Sequence, residues 1–166
     1  MEHTTLLFLE KQRFMQWWIL ALLLSPACFI IYGLVTQVFM GITFGDKPMS
    51  NEGLIAVAVF QLIFTVLFFM QIMITRIDTN GIHIKFKPYH RKWKFYPWEE
   101  IVDCDVKVYS PMLEYGGWGL RAGAYNVSGK VGMLLKFKSR SSLMIGTQKP
   151  VELKKVLTKV GKLKTT

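Results

Sequence analysis

The chain has 166 residues, 51% of them hydrophobic, yet its formal net charge is +10. This length accommodates a membrane hairpin and one small domain, and it excludes a large multidomain protein. Apolar and basic residues are segregated: 18 of the 21 Lys and Arg residues lie from Arg76 onward, where seven acidic residues leave a net charge of +11. Such a basic segment beside a membrane either attracts anionic lipid or only marks the cytoplasmic face and fixes topology.

Two long apolar runs predict two transmembrane helices. The second run, Leu54 to Ile74, has no charged residue, and as a helix it would span about 31 Å, close to the hydrocarbon core of a bilayer. The first run, Trp17 to Met40, follows a basic start, which is also typical of a secretory signal peptide. Because this run is longer than the apolar core of a signal and lacks a convincing cleavage site, we interpret it as a transmembrane helix.

The charge distribution predicts the topology. We expect residues 1–75 to form an N-terminal tail and a transmembrane hairpin, with helices at about 14–40 and 54–74, and residues 76–166 to form a cytoplasmic domain. Basic residues precede the first helix and follow the second, so the positive-inside rule places both termini in the cytoplasm. Trp17 and Trp18 would anchor the first helix at the membrane interface. In a bacterium, these features predict a multi-pass inner-membrane protein with residues 41–53 in the periplasm.

After Arg76 the sequence pattern is typical of β-strands. The tetrapeptide Asp78 to Gly81 lies between apolar stretches, and its Asn-Gly pair is a strong hairpin signal because both residues tolerate positive φ. A further strand is predicted from Ile101 to Val108, and a helix begins at Pro150. The side chains expected to face the core are Val102, Cys104, Val106 and Val108 of the strand and Leu153, Val156, Leu157 and Val160 of the helix.

These elements predict a membrane protein of the α+β class, with an N-terminal two-helix transmembrane hairpin followed by an antiparallel β-sheet or open barrel that a C-terminal helix caps. Four stretches stand out within the second part: Thr75 to Ile82, Phe95 to Ile101, Tyr115 to Arg121 and Ile145 to Pro150. Together with the order of elements, they resemble the pleckstrin-homology (PH)-like domains of small bacterial membrane proteins, in which two transmembrane helices precede the domain. The resemblance implies that fold and a membrane-facing role, and it does not imply an enzyme.

The glycine-rich stretch from Tyr115 to Arg121 is the first candidate site. Glycines on both sides of Trp118 allow positive φ and would turn the ring outward, while Arg121 can bind a carboxylate or phosphate or stack on an aromatic ring. The stretch would then dock a partner or enter the bilayer interface; alternatively, it is a turn whose Trp118 folds back over the core. The residues predicted to contact a partner are Tyr115, Gly116, Gly117, Trp118, Gly119 and Arg121.

A juxtamembrane segment in which basic residues are interleaved with aromatic residues is the second candidate site. Such a composition suits phospholipid headgroups or nucleic acid, and the membrane anchor favours headgroups. The alternative is a solvated basic loop without a ligand. The residues predicted to contact lipid headgroups are Lys85, Lys87, Tyr89, His90, Arg91, Lys92, Trp93 and Lys94.

The sequence offers no catalytic constellation, so we expect no enzyme activity, no metal and no cofactor. The three His residues have no carboxylate or Cys at metal-ligand spacing, and Glu99 and Glu100 would face opposite sides of a strand. The first hypothesis is therefore a non-catalytic membrane-anchored adaptor, assembly factor or accessory subunit of a larger membrane complex. The alternative is a module that binds anionic lipid through the juxtamembrane segment.

The expected partners are membrane lipids and either another protein of a membrane complex or a second copy of the chain, but not nucleic acid. A third hypothesis is an unrecognised enzyme or a transporter. The apolar runs contain no charged residue, which argues against an ion path through a monomer.

Overall fold

The computed structural model describes residues 5–164, and the chain divides into two compact units. The hairpin unit comprises Phe14–Met70, and the sheet unit comprises the residues before it together with Gln71 and the residues that follow. This boundary differs from the one predicted after residue 75. The reason is that strand β1 (Leu6–Arg13) pairs with β2 (Ile72–Asp78), so an N-terminal segment expected to be a tail belongs to the sheet unit.

The buried face of β1 is mainly polar. Phe8, Glu10 and Gln12 are buried, whereas the residues between them are exposed. The two carboxylate oxygens of Glu10 accept hydrogen bonds from the Thr147 hydroxyl and from the backbone N–H of Gln148, both at 2.7 Å. A strand that turns a carboxylate and an amide inward lacks the apolar alternation by which strands are recognised, which explains why the sequence did not predict β1.

The hairpin unit contains two long apolar helices. By length and composition both helices could cross a membrane. In the most apolar stretch of each, only 17% of the residues of the first helix and 6% of those of the second are buried within the protein. A core helix of a soluble protein would bury its apolar side. The bounds are α1 (Trp17–Gly33), which continues as a π-helical stretch (Leu34–Phe39), and α2 (Asn51–Phe69).

Polar contacts define where α2 begins and how it packs. The Ser50 side chain accepts a hydrogen bond from the backbone N–H of Gly53 at 3.2 Å and caps the helix. The Gln61 amide donates to the carbonyl of Leu23 on α1, also at 3.2 Å. At its other end, α2 stops before the predicted Ile74, because the isoleucines after the helix enter β2. Hydrophobicity alone does not separate a short apolar strand from the end of an apolar helix.

The first sheet has four antiparallel strands in the order β1-β2-β3-β4, with β3 at Gly81–Lys87 and β4 at Lys94–Pro97. The predicted hairpin joins β2 to β3, but neither residue of its Asn-Gly pair has positive φ. Asp78 holds the turn instead, because its Oδ1 accepts the backbone N–H of Asn80 at 3.0 Å and that of Gly81 at 3.1 Å. Gly81 is needed for close approach, since a Cβ there would lie 2.3 Å from the carbonyl oxygen of Tyr96.

The second sheet has five strands in the order β5-β8-β9-β7-β6. β7 and β9 are parallel and the other pairs are antiparallel, so the predicted purely antiparallel sheet is a mixed one. The strand bounds are β5 (Ile101–Val108), β6 (Gly119–Arg121), β7 (Ala124–Asn126), β8 (Val131–Phe137) and β9 (Leu143–Gly146).

A β-bulge between Ile101 and Asp103 changes which side of β5 faces the core. Ile101 and Cys104 are both completely buried, although alternation predicts that they lie on opposite faces. Val102, which was predicted to face the core, is 53% exposed for this reason, whereas Val108 keeps the register of Cys104 and is 73% exposed as the last residue of the strand. The extra residue of a bulge inverts the pattern on one side of it, and a simple period of two does not reveal this.

In the described part of the sheet unit there are two further helices, α3 (Pro111–Tyr115) and α4 (Pro150–Val160). Leu153 and Leu157 of α4 are buried, as predicted, and Gly161 ends the helix with φ of 71°. Beyond it, the backbone of residues 162 and 164 bonds to that of Cys104 and covers the edge of β5. The chain is thus α+β, with two apolar helices, antiparallel and mixed sheets and a C-terminal helix, and its first strand precedes the apolar helices.

Candidate functional site

Three strands of the first sheet reach one end of the sheet unit. Arg13 of β1 pairs with Ile72 of β2, and Ile72 pairs with Lys87 of β3. β1 ends at Arg13 and β2 begins at Ile72, so both connections to the hairpin unit leave from here. We call this the junction end of the sheet unit. The juxtamembrane basic segment, residues 85–94, lies partly at this end, because it contains Lys87.

The second sheet also reaches the junction end. The side-chain amide of Gln12 on β1 donates to the carbonyl of Gly146 at 2.8 Å. Gly146 is the last residue of β9 and pairs with Gly132 of β8. The residue before Gly132, Val131, pairs with Val108, which is the last residue of β5. The loop that leaves β5 and the loop that enters β8 therefore lie at the junction end.

Basic and apolar side chains alternate across the outer face of the first sheet at this end. Ile72 lies between Arg13 and Lys87, and one step further along the strands another isoleucine of β2 lies between Lys11 and Lys85. Within residues 5–164, none of these four basic side chains forms an ion pair. We call Lys11, Arg13, Lys85 and Lys87 the basic face.

Further from the junction end, charge on the same sheet is compensated. Asp78 Oδ2 lies 2.9 Å from Nε2 of His83 and 3.5 Å from a guanidinium nitrogen of Arg76. The His83 ring stacks on Phe95 with centroids 4.4 Å apart, and the Trp98 indole donates to the Asp78 carbonyl at 3.1 Å. This cluster holds the β2–β3 turn, so uncompensated charge on the sheet is concentrated at the junction end.

The middle of the juxtamembrane basic segment is exposed. Tyr89, Arg91, Lys92 and Trp93 are all exposed in the connection between β3 and β4. Lys85 Nζ lies 5.9 Å from the centre of the Trp93 ring, so this ring extends over the basic face. These four residues and the basic face together present positive charge and aromatic surface to solvent.

His90 and Lys94, by contrast, are engaged within the fold. His90 Nδ1 accepts the backbone N–H of Phe86 at 3.2 Å. Burial, and next the positive charge of Lys94, lower the pKa of His90, which favours the neutral ring that can accept this bond. Lys94 Nζ donates to the hydroxyl of Tyr125 at 2.7 Å. The geometry therefore gives these two residues a structural role in positioning the segment.

The glycine-rich stretch is a fixed turn at the junction end. Gly116, Gly117 and Gly119 have φ of 69°, 121° and 118°, the positive values that their composition predicts. Asn126, fully buried on β7, holds this turn: its Oδ1 accepts the N–H of Gly119 at 2.8 Å, and its Nδ2 donates to the Tyr109 hydroxyl at 3.0 Å. Burial raises the pKa of Tyr109, so the fold favours the neutral phenol, whose oxygen accepts this hydrogen bond.

Trp118 folds back rather than pointing outward. Its ring is half-buried, and its indole N–H donates to the carbonyl of Gly129 at 3.1 Å. Tyr115 is also half-buried, with its ring 5.8 Å from that of Tyr109, whereas Arg121 is exposed. The alternative interpretation of this stretch, a turn whose Trp lies back on the domain, describes the geometry.

Strand β7 joins the two candidate segments. Tyr125 receives the hydrogen bond from Lys94, and the next residue, Asn126, holds Gly119. The juxtamembrane basic segment and the glycine-rich stretch therefore both contact β7, but on opposite sides of it, because consecutive side chains of a strand point to opposite faces. Their separation along the chain hides this relationship in the sequence.

Two groups of residues at the junction end were not predicted. The sequence predicts Lys11 and Arg13 only as a basic flank of the first helix, because it gives no signal for β1. In α3, Met112 and Leu113 are 63% and 90% exposed. The sequence feature that could have indicated these two residues is an apolar pair within a predicted loop. That feature alone is weak evidence for a functional surface, because single exposed apolar residues are common.

The aromatic pair predicted as a membrane anchor lies at the first residues of α1, and both rings are exposed, Trp17 at 79% and Trp18 at 41%. Within residues 5–164, no group of three or more His, Cys, Asp or Glu side chains could hold a metal ion. Cys104 is completely buried, and burial raises the pKa of its thiol to about 12, so the nucleophilic thiolate is suppressed near neutral pH.

Comparison with known proteins gives a family but no activity. No curated protein and no solved structure matches the chain. A family described as "Family of unknown function (DUF6141)" matches residues 1–161. Because this match spans both the hairpin unit and the sheet unit, the chain belongs to that family.

Proposed function

We propose that the protein is a non-catalytic module of a bacterial inner membrane, in which the hairpin unit spans the bilayer and the sheet unit binds anionic lipid headgroups at its surface. The observation that supports this proposal is the basic face. Four basic side chains without an ion-pair partner in the described chain lie on β1 and β3 at the junction end, where β1 and β2 connect to the apolar helices.

The short connections limit how far the basic face can lie from the helices. Residues 14–16 separate β1 from α1, and residues 70–71 separate α2 from β2. Since an extended chain covers at most about 3.5 Å per residue, the ends of both strands are tethered within roughly 15 Å of the helix ends. If the helices span a bilayer, Arg13 and Lys87 lie at headgroup depth, where each basic residue contributes about 1 kcal/mol of attraction.

The sheet unit supports the further proposal of a PH-like fold with both chain termini in the cytoplasm. Two sheets are followed by a C-terminal helix that buries Leu153 and Leu157, as in the domains that the sequence resembles. The basic residues flank the apolar helices on the side of the sheet unit, and the positive-inside rule places that side in the cytoplasm.

Lipid binding is tested with the full-length protein in nanodiscs of phosphatidylcholine alone or mixed with phosphatidylglycerol. We expect phosphatidylglycerol to slow hydrogen exchange in residues 6–13 and 85–94, because the lipid covers these amides. The double variant Lys85→Glu, Lys87→Glu removes the attraction and should abolish the difference. The matched control is Lys154→Glu, Lys155→Glu on the exposed side of α4, with the same change of charge. Equal exchange in both lipids, or an equal loss in the control, would contradict lipid binding by the basic face.

The second candidate function is an accessory subunit that docks a protein partner. The observation that favours it is β6, which among residues 5–164 pairs only with β7 and leaves one edge of the second sheet open, with Arg121 exposed on it. An extended partner segment could add to this edge, and Arg121 would receive a carboxylate. A photo-crosslinker placed next to Arg121 on β6, in native membranes, should then yield one defined adduct. If the same adduct persists when Arg121→Glu is added to that crosslinker variant, the result would count against this docking mode.

A further inference from the structure

Helix α3 presents its apolar side chains in a fixed orientation. Pro111 is buried and Tyr115 is half-buried against the Tyr109 ring, so one side of this short helix packs on the domain. Met112 and Leu113 lie on the other side and are exposed. The N–H of Gly117 donates to the carbonyl of Pro111 at 2.8 Å and closes the turn that follows the helix.

The same turn places α3 at the junction end. Tyr109 follows the last residue of β5, and its backbone N–H donates to the carbonyl of Lys130 at 2.8 Å, just before β8 begins. These strand ends are tied to Gln12 of β1 through Gly146. The exposed apolar pair therefore lies at the end of the sheet unit from which the chain leaves for the apolar helices.

The charges around α3 suit an anionic surface. The Arg121 guanidinium and the Met112 sulfur lie 3.4 Å and 3.7 Å from the point that a Cβ on Gly117 would occupy. Lys130 is exposed on the adjoining loop. The nearby acidic residue, Glu114, accepts the backbone N–H of Ser110 at 2.7 Å and is thereby drawn back to the start of the helix. Apolar side chains flanked by basic ones are typical of segments that enter a membrane interface.

We propose that Met112 and Leu113 of α3 form an apolar wedge that enters the headgroup–acyl boundary of the membrane that the hairpin unit spans. This inference rests on the proposed function, because it needs the sheet unit to face that membrane. It extends the function from electrostatic attraction to a fixed docking geometry: the basic face binds headgroups and the wedge sets the depth of the sheet unit. Basic attraction alone would leave Leu113 in water.

The test measures the depth of a nitroxide attached to Leu113→Cys in the full-length protein. The background carries Cys28→Ser, since Cys28 is exposed, and retains Cys104, which is buried. The control is Val102→Cys, 53% exposed near the start of β5, at the end of that strand opposite to Val108. In phosphatidylcholine–phosphatidylglycerol nanodiscs, we expect the label at 113 to collide more with oxygen and several-fold less with a nickel chelate than the label at 102.

Equal access of the nickel chelate to both labels would overturn the wedge. Dipolar broadening between labels at 113 would also overturn it, because it would show that a second copy covers α3. Hydrogen exchange of residues 6–13 and 85–94 in the same nanodiscs separates the two proposals. If phosphatidylglycerol protects these segments while the label at 113 stays aqueous, the wedge fails and lipid binding by the basic face stands. If the segments are unprotected, the proposed function itself fails.

Discussion

Asp78 Oδ2 lies 2.9 Å from Nε2 of His83, while the other oxygen of the same carboxylate accepts two backbone N–H groups of the β2–β3 turn. Asp78 is 1% exposed, so the carboxylate is a buried acceptor that the turn and the imidazole satisfy together. Such a group stabilises the fold only while its partners are in place, because a buried polar group without a partner costs free energy.

Replacing Asp78 with Ala should therefore destabilise the sheet unit. The variant leaves the N–H groups of Asn80 and Gly81 without their acceptor, and we expect a loss of about 2–4 kcal/mol in the free energy of unfolding. Thermal unfolding followed by near-ultraviolet circular dichroism measures it. His83→Gln removes only the partner at the rim of the cluster and serves as the milder comparison. A loss in Asp78→Ala no larger than in His83→Gln would show that the turn does not depend on the carboxylate.

Two glycine substitutions should differ because their surroundings differ. Gly81→Ala places a Cβ 2.3 Å from the carbonyl oxygen of Tyr96 and 2.9 Å from the Cα of Pro97, both backbone atoms that move only with β4. Gly116→Ala meets nothing within 4 Å, and its cost is the strain of φ at 69°, about 1–2 kcal/mol. We expect Gly81→Ala to lower the melting temperature clearly more than Gly116→Ala. Equal melting temperatures would mean that the β3–β4 contact is looser than described.

For the β2–β3 hairpin, the sequence predicts where the turn lies but not which interactions hold it. Asn-Gly located the turn, but the turn is held by the Asp78 carboxylate, and Gly81 serves the approach of β4. The pairing of β3 with β4 is a tertiary contact that local turn statistics do not contain. The apolar helices and α4 were predictable because their signal is periodicity or length within one segment.

β1 and the bulge in β5 could not be read from periodicity. Glu10 and Gln12 point inward because their partners, Thr147 and Gly146, lie far along the chain. The candidate site was likewise only half predictable. The composition of residues 85–94 indicated basic and aromatic surface, but the contribution of Lys11 and Arg13 depends on strand pairing. Leu113 becomes notable only once its exposure is known.

His90 should make stability depend on pH. Its pKa is lowered in the folded protein from the ordinary value of 6.5, first by burial and then by Lys94, so the unfolded chain binds the proton more readily. Stability from the neutral ring is then present above pH 6.5 and is lost as the pH falls through the lowered pKa. We expect the melting temperature to fall between pH 7.5 and pH 5.5 by more in the wild type than in His90→Gln. An identical pH dependence in the two proteins would exclude this contribution.

The two cysteines provide a test of whether α1 lies in a bilayer. Cys28 is exposed on α1, whereas Cys104 is buried and its pKa is raised to about 12. If α1 spans the membrane, lipid covers Cys28, and a charged, water-soluble maleimide should label neither thiol of the protein in nanodiscs at pH 7. Denaturation in dodecyl sulfate should expose both, and mass spectrometry counts the adducts. In Cys28→Ser the denatured protein should carry one adduct. Rapid labelling of Cys28 in nanodiscs would show that α1 is exposed to water. The proposal that the hairpin unit anchors the sheet unit at a membrane would then lose its basis.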